Sequence, residues 1–342
     1  MIVSLEAEIL SFLSEPVEDK FEPLALKIFD YQRRENLPYA RYCKFLGTPQ
    51  RVDSWKKIPG VPQQAFKRSE LRSFPVGGTG AEFRTSGTTG EGHGKHLFLS
   101  LRLYEAAVQR GWDFFGLPRQ SFILLMQHPD DAPFSSLCRM GGILTDFRRE
   151  CFLVTRNGCF ELDRLRESFI DRGRPLTLFG TALSFLNLFE QAPDLQVEMP
   201  PGSITMETGG FKGSGREMQK NELYELFSRH LGIATDSIWN EYGMTELSSQ
   251  FYSNGINRPH RAPPWMKFLI IDPNTNEEVL PGEIGLLRIV DLANLWSVLA
   301  VQTQDLAVAR PDGSFLLLGR DPGALPRGCS RAMDELLQLA RN

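Results

Sequence analysis

Several things are scarce in this sequence, and each scarcity excludes a class. Cysteine occurs only five times in 342 residues, as Cys43, Cys138, Cys151, Cys159 and Cys329. No two of them form a C-x-x-C pair, which excludes a disulfide framework and a cysteine zinc site. None of the histidines has H-E-x-x-H spacing, so no zinc site is read from them either. No apolar run approaches the ~18 residues of a membrane span. The opening MIVSLEAEILSFL carries Glu6 and Glu8 but lacks the basic segment of a secretory signal. A basic excess is missing too: 38 Lys and Arg stand against 42 Asp and Glu, a net charge of −4. That balance does not suit a dedicated nucleic-acid binder. The expectation is a reduced, cytoplasmic protein with no nucleic-acid partner and no transmembrane segment.

What is present is ordinary globular material, 42% hydrophobic and 23% charged, long enough to bury a core without covalent staples. Helical spacing predicts helices over 2–13 and 23–36, and Pro59 and Pro62 make 56–63 an irregular crossing segment. From about residue 80 short apolar runs alternate with helical patterns. Strands are predicted at 122–126, 176–179, 203–207 and 237–242, and helices at 161–171, 181–190 and 216–230. Such alternation predicts an α/β layer with a mostly parallel sheet. After residue 260 the runs WMKFLIIDP, GLLRIVDL and SFLLLGR predict a small antiparallel β portion, and 331–340 reads as one short helix. The expected organisation is an N-terminal helical segment (1–75), an α/β core (76–260), a β-rich subdomain (261–320) and a C-terminal tail (321–342).

Residues 84–95 read RTSGTTGEGHGK. Glycines let backbone N–H groups converge on an anion, hydroxyls add donors and Lys95 adds charge. Taken alone, the stretch is either a phosphate cradle or a flexible Gly/Thr turn; it is not a Walker A loop, because His96 follows the lysine. Residues 240–246 read NEYGMTE, with a tyrosine suited to stacking, a threonine hydroxyl and a glutamate suited to Mg²⁺. Their place after a predicted strand is where open α/β sheets bind ligands. Thr303-Gln304-Asp305 and Gly319-Arg320 follow, an acceptor for hydroxyl pairs and a charged donor.

These four elements, in this order, resemble those of the adenylate-forming enzymes. The strings PQQAFK, DDAPFSSLCRM, ETGGFKG, NEYGMTELSSQFY, DLANLWSVLAVQTQDLA and LLGRDPGALPRGCS look like the LuxE-type acyl-protein synthetases. The resemblance implies an adenylate-forming α/β core without the mobile C-terminal domain, since residues 321–342 contain no lysine. It implies ATP and Mg²⁺ as cofactors and a carboxylic acid, a fatty acid, as substrate. Ser86, Gly87, Thr88, Thr89 and Gly90 would bind phosphates. Gly209, Gly210, Tyr242, Gly243, Met244 and Thr245 would hold the nucleotide, with Asp305 and Arg320 at the ribose and Glu246 at the metal. Gln304 departs from the usual Thr-Gly-Asp.

In that family the acyl group moves to a cysteine near the C-terminus and then to a partner reductase. Cys329, in Arg-Gly-Cys-Ser, would be that acceptor; the alternative is a buried, inert thiol. Lys212 is either a contact to the substrate carboxylate or phosphate, or a solvated loop lysine. His128, Ser135 and Ser136 are candidates for the acyl pocket, a lone histidine being otherwise a structural hydrogen-bonder. Two rival functions stay open: an adenylating enzyme that loads a carrier-protein thiol or CoA directly, and a non-catalytic scaffold subunit.

Overall fold

The computed structural model describes residues 2–75, 77–78, 80–85, 92–169, 173–209 and 218–320. In chain order the elements begin with α1 (Ile2–Ser14), α2 (Glu18–Glu35), α3 (Leu37–Phe45), β1 (Val61–Pro62), α4 (Ala65–Arg68), β2 (Ala81–Arg84), β3 (Lys95–Phe98) and α5 (Arg102–Phe114). Then come β4 (Ser121–Gln127), α6 (Ser136–Leu144), β5 (Phe152–Val154), α7 (Leu162–Ser168), β6 (Leu176–Thr181), α8 (Ala182–Gln191), β7 (Ile204–Thr208), α9 (Lys220–Leu231), β8 (Ile238–Tyr242) and β9 (Phe251–Asn254). The chain closes with β10 (Met266–Ile271), β11 (Ile284–Asp291), β12 (Ala300–Ala309) and β13 (Phe315–Arg320). Among the described residues, one compact unit is built from 2–111, 244–249 and 259–320, the other from 112–243 and 250–258.

The second unit carries a six-stranded sheet in the order β5-β4-β6-β7-β8-β9. Every pairing from β5 to β8 is parallel, and β9 closes one edge antiparallel. The mostly parallel sheet read from the alternating pattern is therefore present. Phe122 to Met126 are all buried, as a strand covered on both faces requires. Ile123, Leu125 and Leu178 share one core cluster with Phe185 and Phe189 of α8 and Phe227 and Leu231 of α9. The helices start where the chain supplies caps. Thr181 accepts from the Ser184 N–H at the start of α8 (2.9 Å). The Gln219 N–H donates to Glu222 at the start of α9 (3.4 Å), and Gly232 ends α9 in the left-handed region (φ 60°).

The first unit carries a five-stranded sheet. β10, β11, β12 and β13 are antiparallel neighbours, and β1 adds parallel to the start of β12. Three of these strands follow the predicted runs. β12, the ten-residue strand at the centre of the sheet, is not among them, because Gln302, Thr303, Gln304 and Asp305 interrupt its apolar pattern. Helix α2 starts at Glu18 rather than at residue 23, with Pro23 inside it. Glu18 and Asp19 favour a helix N-terminus electrostatically, and buried Phe21 packs the first turn. The segment 56–63 is less irregular than its prolines suggest: Pro62 sits in β1, paired with Gln302 at one sheet edge.

Helix α2 braces the loop 291–299 within this unit. The buried Gln32 amide donates to Asn294 O (2.7 Å) and Leu295 O (3.1 Å) and accepts from the Leu299 N–H (2.9 Å). Asn36 Nδ2 donates to Ser297 O (3.2 Å), as does Ser73 Oγ (2.5 Å). Main-chain groups of a buried loop need such partners.

Candidate active site

In the first unit, β2 and β3 form a hairpin with Arg84 opposite Lys95. Its connection is the Gly/Thr stretch. Ser86, Gly87, Thr88, Thr89 and Gly90 lie outside the described residues. The stem is closed on both sides of them: the Thr85 N–H donates to Gly94 O (2.9 Å), and the Gly94 N–H donates to Thr85 Oγ1 (2.8 Å).

The next residue but one after Gly94 is His96, fully buried. Its Nδ1 lies 2.8 Å from Thr245 O and its Nε2 2.9 Å from Ser297 Oγ. Burial pushes the imidazole pKa down to about 4, so the ring is neutral at physiological pH. A carbonyl only accepts, so Nδ1 carries the proton and Nε2 accepts from the serine hydroxyl. Phe98 and Phe66 pack on the ring, with centroids at 4.1 and 5.8 Å.

Thr245 and Glu246 are held by their main chain. The Asn294 amide donates to Glu246 O (2.9 Å), and the Leu247 N–H donates to Met244 O (3.0 Å). The next two residues hang on Asp291, whose carboxylate accepts from the Ser248 N–H (3.0 Å), the Ser249 N–H (2.9 Å), Ser249 Oγ (2.8 Å) and the Ala293 N–H (2.9 Å). Burial still outweighs those donors and raises the Asp291 pKa to about 6. Glu246 itself is 8% exposed. Among the described residues no three possible metal ligands gather. Glu246 is a carboxylate of the oxygen-donor class that Mg²⁺ accepts, and it would supply one ligand to that ion.

Asp305 and Arg320 face each other in register across β12 and β13. Arg320 Nε lies 3.7 Å from Asp305 Oδ1. A register shift between Leu306 and Ala307 leaves Leu318 as the extra residue of a bulge. Gly319 supplies the φ of 106° that the bulge needs. Gln304, the departure from the usual glycine, accepts from Gln63 Nε2 (3.3 Å).

In the second unit, Gly209 follows β7 with φ 70° and open space where a Cβ would stand; Gly210 and Lys212 lie outside the described residues. Tyr242 ends β8 and is buried, its ring 5.9 Å from that of Phe251. A Cβ at Gly243 would meet Glu241 Oε1, so a larger residue there would need the Glu241 side chain to shift. Two buried glutamates stand beside these positions. Glu241 accepts from Thr208 Oγ1, and burial raises its pKa to about 7. Glu207 accepts from Tyr224 OH (3.2 Å) and pairs with Lys220 (3.2 Å); burial raises its pKa as well.

His128 follows β4. Its Nδ1 accepts from the Asp130 N–H (3.2 Å), so Nε2 carries the proton toward Phe147 O (3.2 Å). Ser135 caps α6 by accepting from the Cys138 N–H (3.2 Å), and Ser136 opens that helix. Cys329 lies outside the described residues. His96 belongs to none of the quoted motifs; Glu207, Glu241, Asp291 and Asn294 lie inside the strings ETGGFKG, NEYGMTE and DLANLWSVLAVQTQDLA, but the sequence reading gives them no role.

Comparison with known proteins adds the following. Residues 158–338 match the family model described as acyl-protein synthetase, LuxE. A long-chain-fatty-acid–luciferin-component ligase of Aliivibrio fischeri is 22% identical over 367 residues, covering 99% of this chain and 96% of that protein. Among solved structures, a 2-hydroxyisobutyryl-CoA ligase in complex with its acyl-AMP superposes with TM-score 0.65 at 15% identity, over 90% of this chain and 69% of that one. ATP-bound MatB from Rhodopseudomonas palustris superposes with TM-score 0.53 at 17% identity, over 70% of this chain. The chain spans about half the length of the MatB structures, 48% in that case. The fold is that of the adenylate-forming ligases.

Proposed function

The chain belongs to the LuxE family of acyl-protein synthetases, and from that premise we propose that it activates a fatty acid with ATP and passes the acyl group through Cys329 to a partner protein. A carboxylate oxygen attacks the α-phosphorus, the bond to the bridging oxygen breaks, and pyrophosphate leaves. The Cys329 thiolate then attacks the acyl carbonyl, the carbon–oxygen bond to AMP breaks, and a thioester forms. The acceptor of that thioester is a protein such as an acyl reductase or a carrier protein.

In this reading Ser86, Thr88 and Thr89 bind phosphates, with Gly87 and Gly90 allowing close approach. The Thr245 hydroxyl meets the α-phosphate. Gly209, Gly210, Tyr242 and Gly243 border the adenine, and Lys212 meets the carboxylate or a phosphate. Glu246 would hold Mg²⁺, which when bound would supply charge neutralisation for the departing pyrophosphate.

The observation that carries the reading is the register pairing of Asp305 with Arg320. It puts a paired-hydroxyl acceptor and a charged donor on neighbouring strands, which suits a ribose. The test is acid-dependent exchange of pyrophosphate into ATP. We expect exchange with long-chain fatty acids, and a loss of about 10²-fold or more in Glu246→Gln with the fold retained. Wild-type protein without exchange for any fatty or aryl acid contradicts the proposal and favours a scaffold subunit.

A further inference from the structure

We propose that His96 is a positioning residue: it fixes the main chain of Thr245 and Glu246 against strand β3 and the loop 291–299, and so sets where the threonine hydroxyl and the metal carboxylate meet the nucleotide. The inference rests on the proposed adenylation but adds a residue that no nucleotide-binding motif contains.

The geometry carries it. His96 is separated from Thr245 by 149 residues and from Ser297 by 201, yet one ring bridges both. Its Nδ1–H donates to the carbonyl immediately before Glu246, and its Nε2 accepts from Ser297 Oγ. Ser297 belongs to the same loop as Asn294, whose amide takes the Glu246 carbonyl (2.9 Å). Two consecutive carbonyls, at Thr245 and Glu246, are thus fixed to one buried loop. That loop is in turn held by Gln32 of α2, by Asn36 between α2 and α3, and by Ser73. The histidine also joins this frame to β3, the strand that follows the Thr85–Gly94 stem. A planar ring with a donor at one edge and an acceptor at the other spans this gap, its two nitrogens held at a fixed separation.

Positioning and mere packing are separated by two replacements, each of which mimics one ring nitrogen. In His96→Asn the side-chain amide occupies the place of Nδ1 and keeps a donor for Thr245 O. In His96→Gln it reaches the place of Nε2, keeps Ser297 and loses Thr245. If the ring only fills space, the smaller asparagine is the more damaging change. If it positions Thr245 and Glu246, the asparagine is the milder one.

The experiment measures acid-dependent pyrophosphate exchange, as kcat and as KM for MgATP, on folded wild-type and variant protein, with circular dichroism and thermal unfolding as controls. For His96→Gln we expect kcat to fall about 10-fold or more, since small misplacements at a reacting centre are costly, and a higher Mg²⁺ requirement. His96→Asn should recover most of kcat despite a lower Tm. Where the glutamine variant does not fold, Ser297→Ala removes the ring's second anchor and should raise KM for MgATP about threefold. Wild-type kinetics in folded His96→Gln, an asparagine variant worse than the glutamine one in kcat, or an unchanged KM in Ser297→Ala overturns the inference while the adenylation reading stands. No exchange in the wild type overturns both.

Discussion

Burial shifts the protonation of two carboxylates, Glu241 and Asp291, toward neutral pH. Glu241 sits on β8 with Thr208 as its donor, and burial, aided by the charge of Glu207, raises its pKa to about 7 from an ordinary 4.5. The folded state therefore prefers the protonated acid. The resulting stabilisation is full below pH 4.5 and is lost as pH rises through 7. Glu241→Gln is neutral at every pH and still accepts from Thr208. It should flatten the decline of Tm between pH 5 and 8, by up to about 3 kcal/mol in stability. Asp291 titrates in the same direction near pH 6 but is common to both proteins, so the difference between the two curves reads Glu241 together with its charge coupling to Glu207. Parallel curves would mean that Glu241 does not titrate in this window. At this scale the sequence was legible where a motif is contiguous: Asp305 and Arg320 were named from short strings, and the register puts them opposite each other. His96 was not, because its partners lie 149 and 201 residues away, and no local pattern encodes such a bridge.

Among the elements, the parallel strands were legible because burial on both faces leaves apolar runs such as FILLM. β12 was not, because several of its polar residues find partners in other elements. Gln302 accepts from Arg288 Nε (2.9 Å) and Gln304 accepts from Gln63 (3.3 Å). A strand that satisfies its polar side chains in this way loses the alternation by which strands are read. The hairpin β2–β3 went unread for a simpler reason, being four residues a side. Helix α2 was read by its spacing, but its task was not: Gln32 makes three hydrogen bonds to the loop 291–299. Gln32→Ala leaves two carbonyls and one N–H of that loop without their partners. It should destabilise the first unit by about 3 kcal/mol, measured by denaturant unfolding. Pyrophosphate exchange should weaken in the folded fraction, because the same loop holds Glu246. An unchanged midpoint would mean that other contacts suffice to hold the loop.

For the whole molecule, the question is which of five thiols can carry an acyl group. Cys43, Cys138 and Cys151 are buried. Burial pushes the Cys43 thiol up to about 11 and raises Cys138 and Cys151 as well. Such thiols yield little thiolate at neutral pH and are poor acceptors. Cys159 is exposed and is the internal control that any labelling experiment needs. The proposed division of labour places activation on Thr245, Glu246, Asp305 and Arg320, and transfer on Cys329, so one substitution should separate the two steps. The decisive measurement is intact-protein mass spectrometry of wild type and Cys329→Ser after incubation with ATP, Mg²⁺ and a long-chain fatty acid, with pyrophosphate exchange followed in parallel. The account predicts one hydroxylamine-sensitive acyl adduct on the wild type, none on Cys329→Ser, and exchange preserved in both. The same thioester on Cys329→Ser, or an adduct that maps to Cys159, would contradict it.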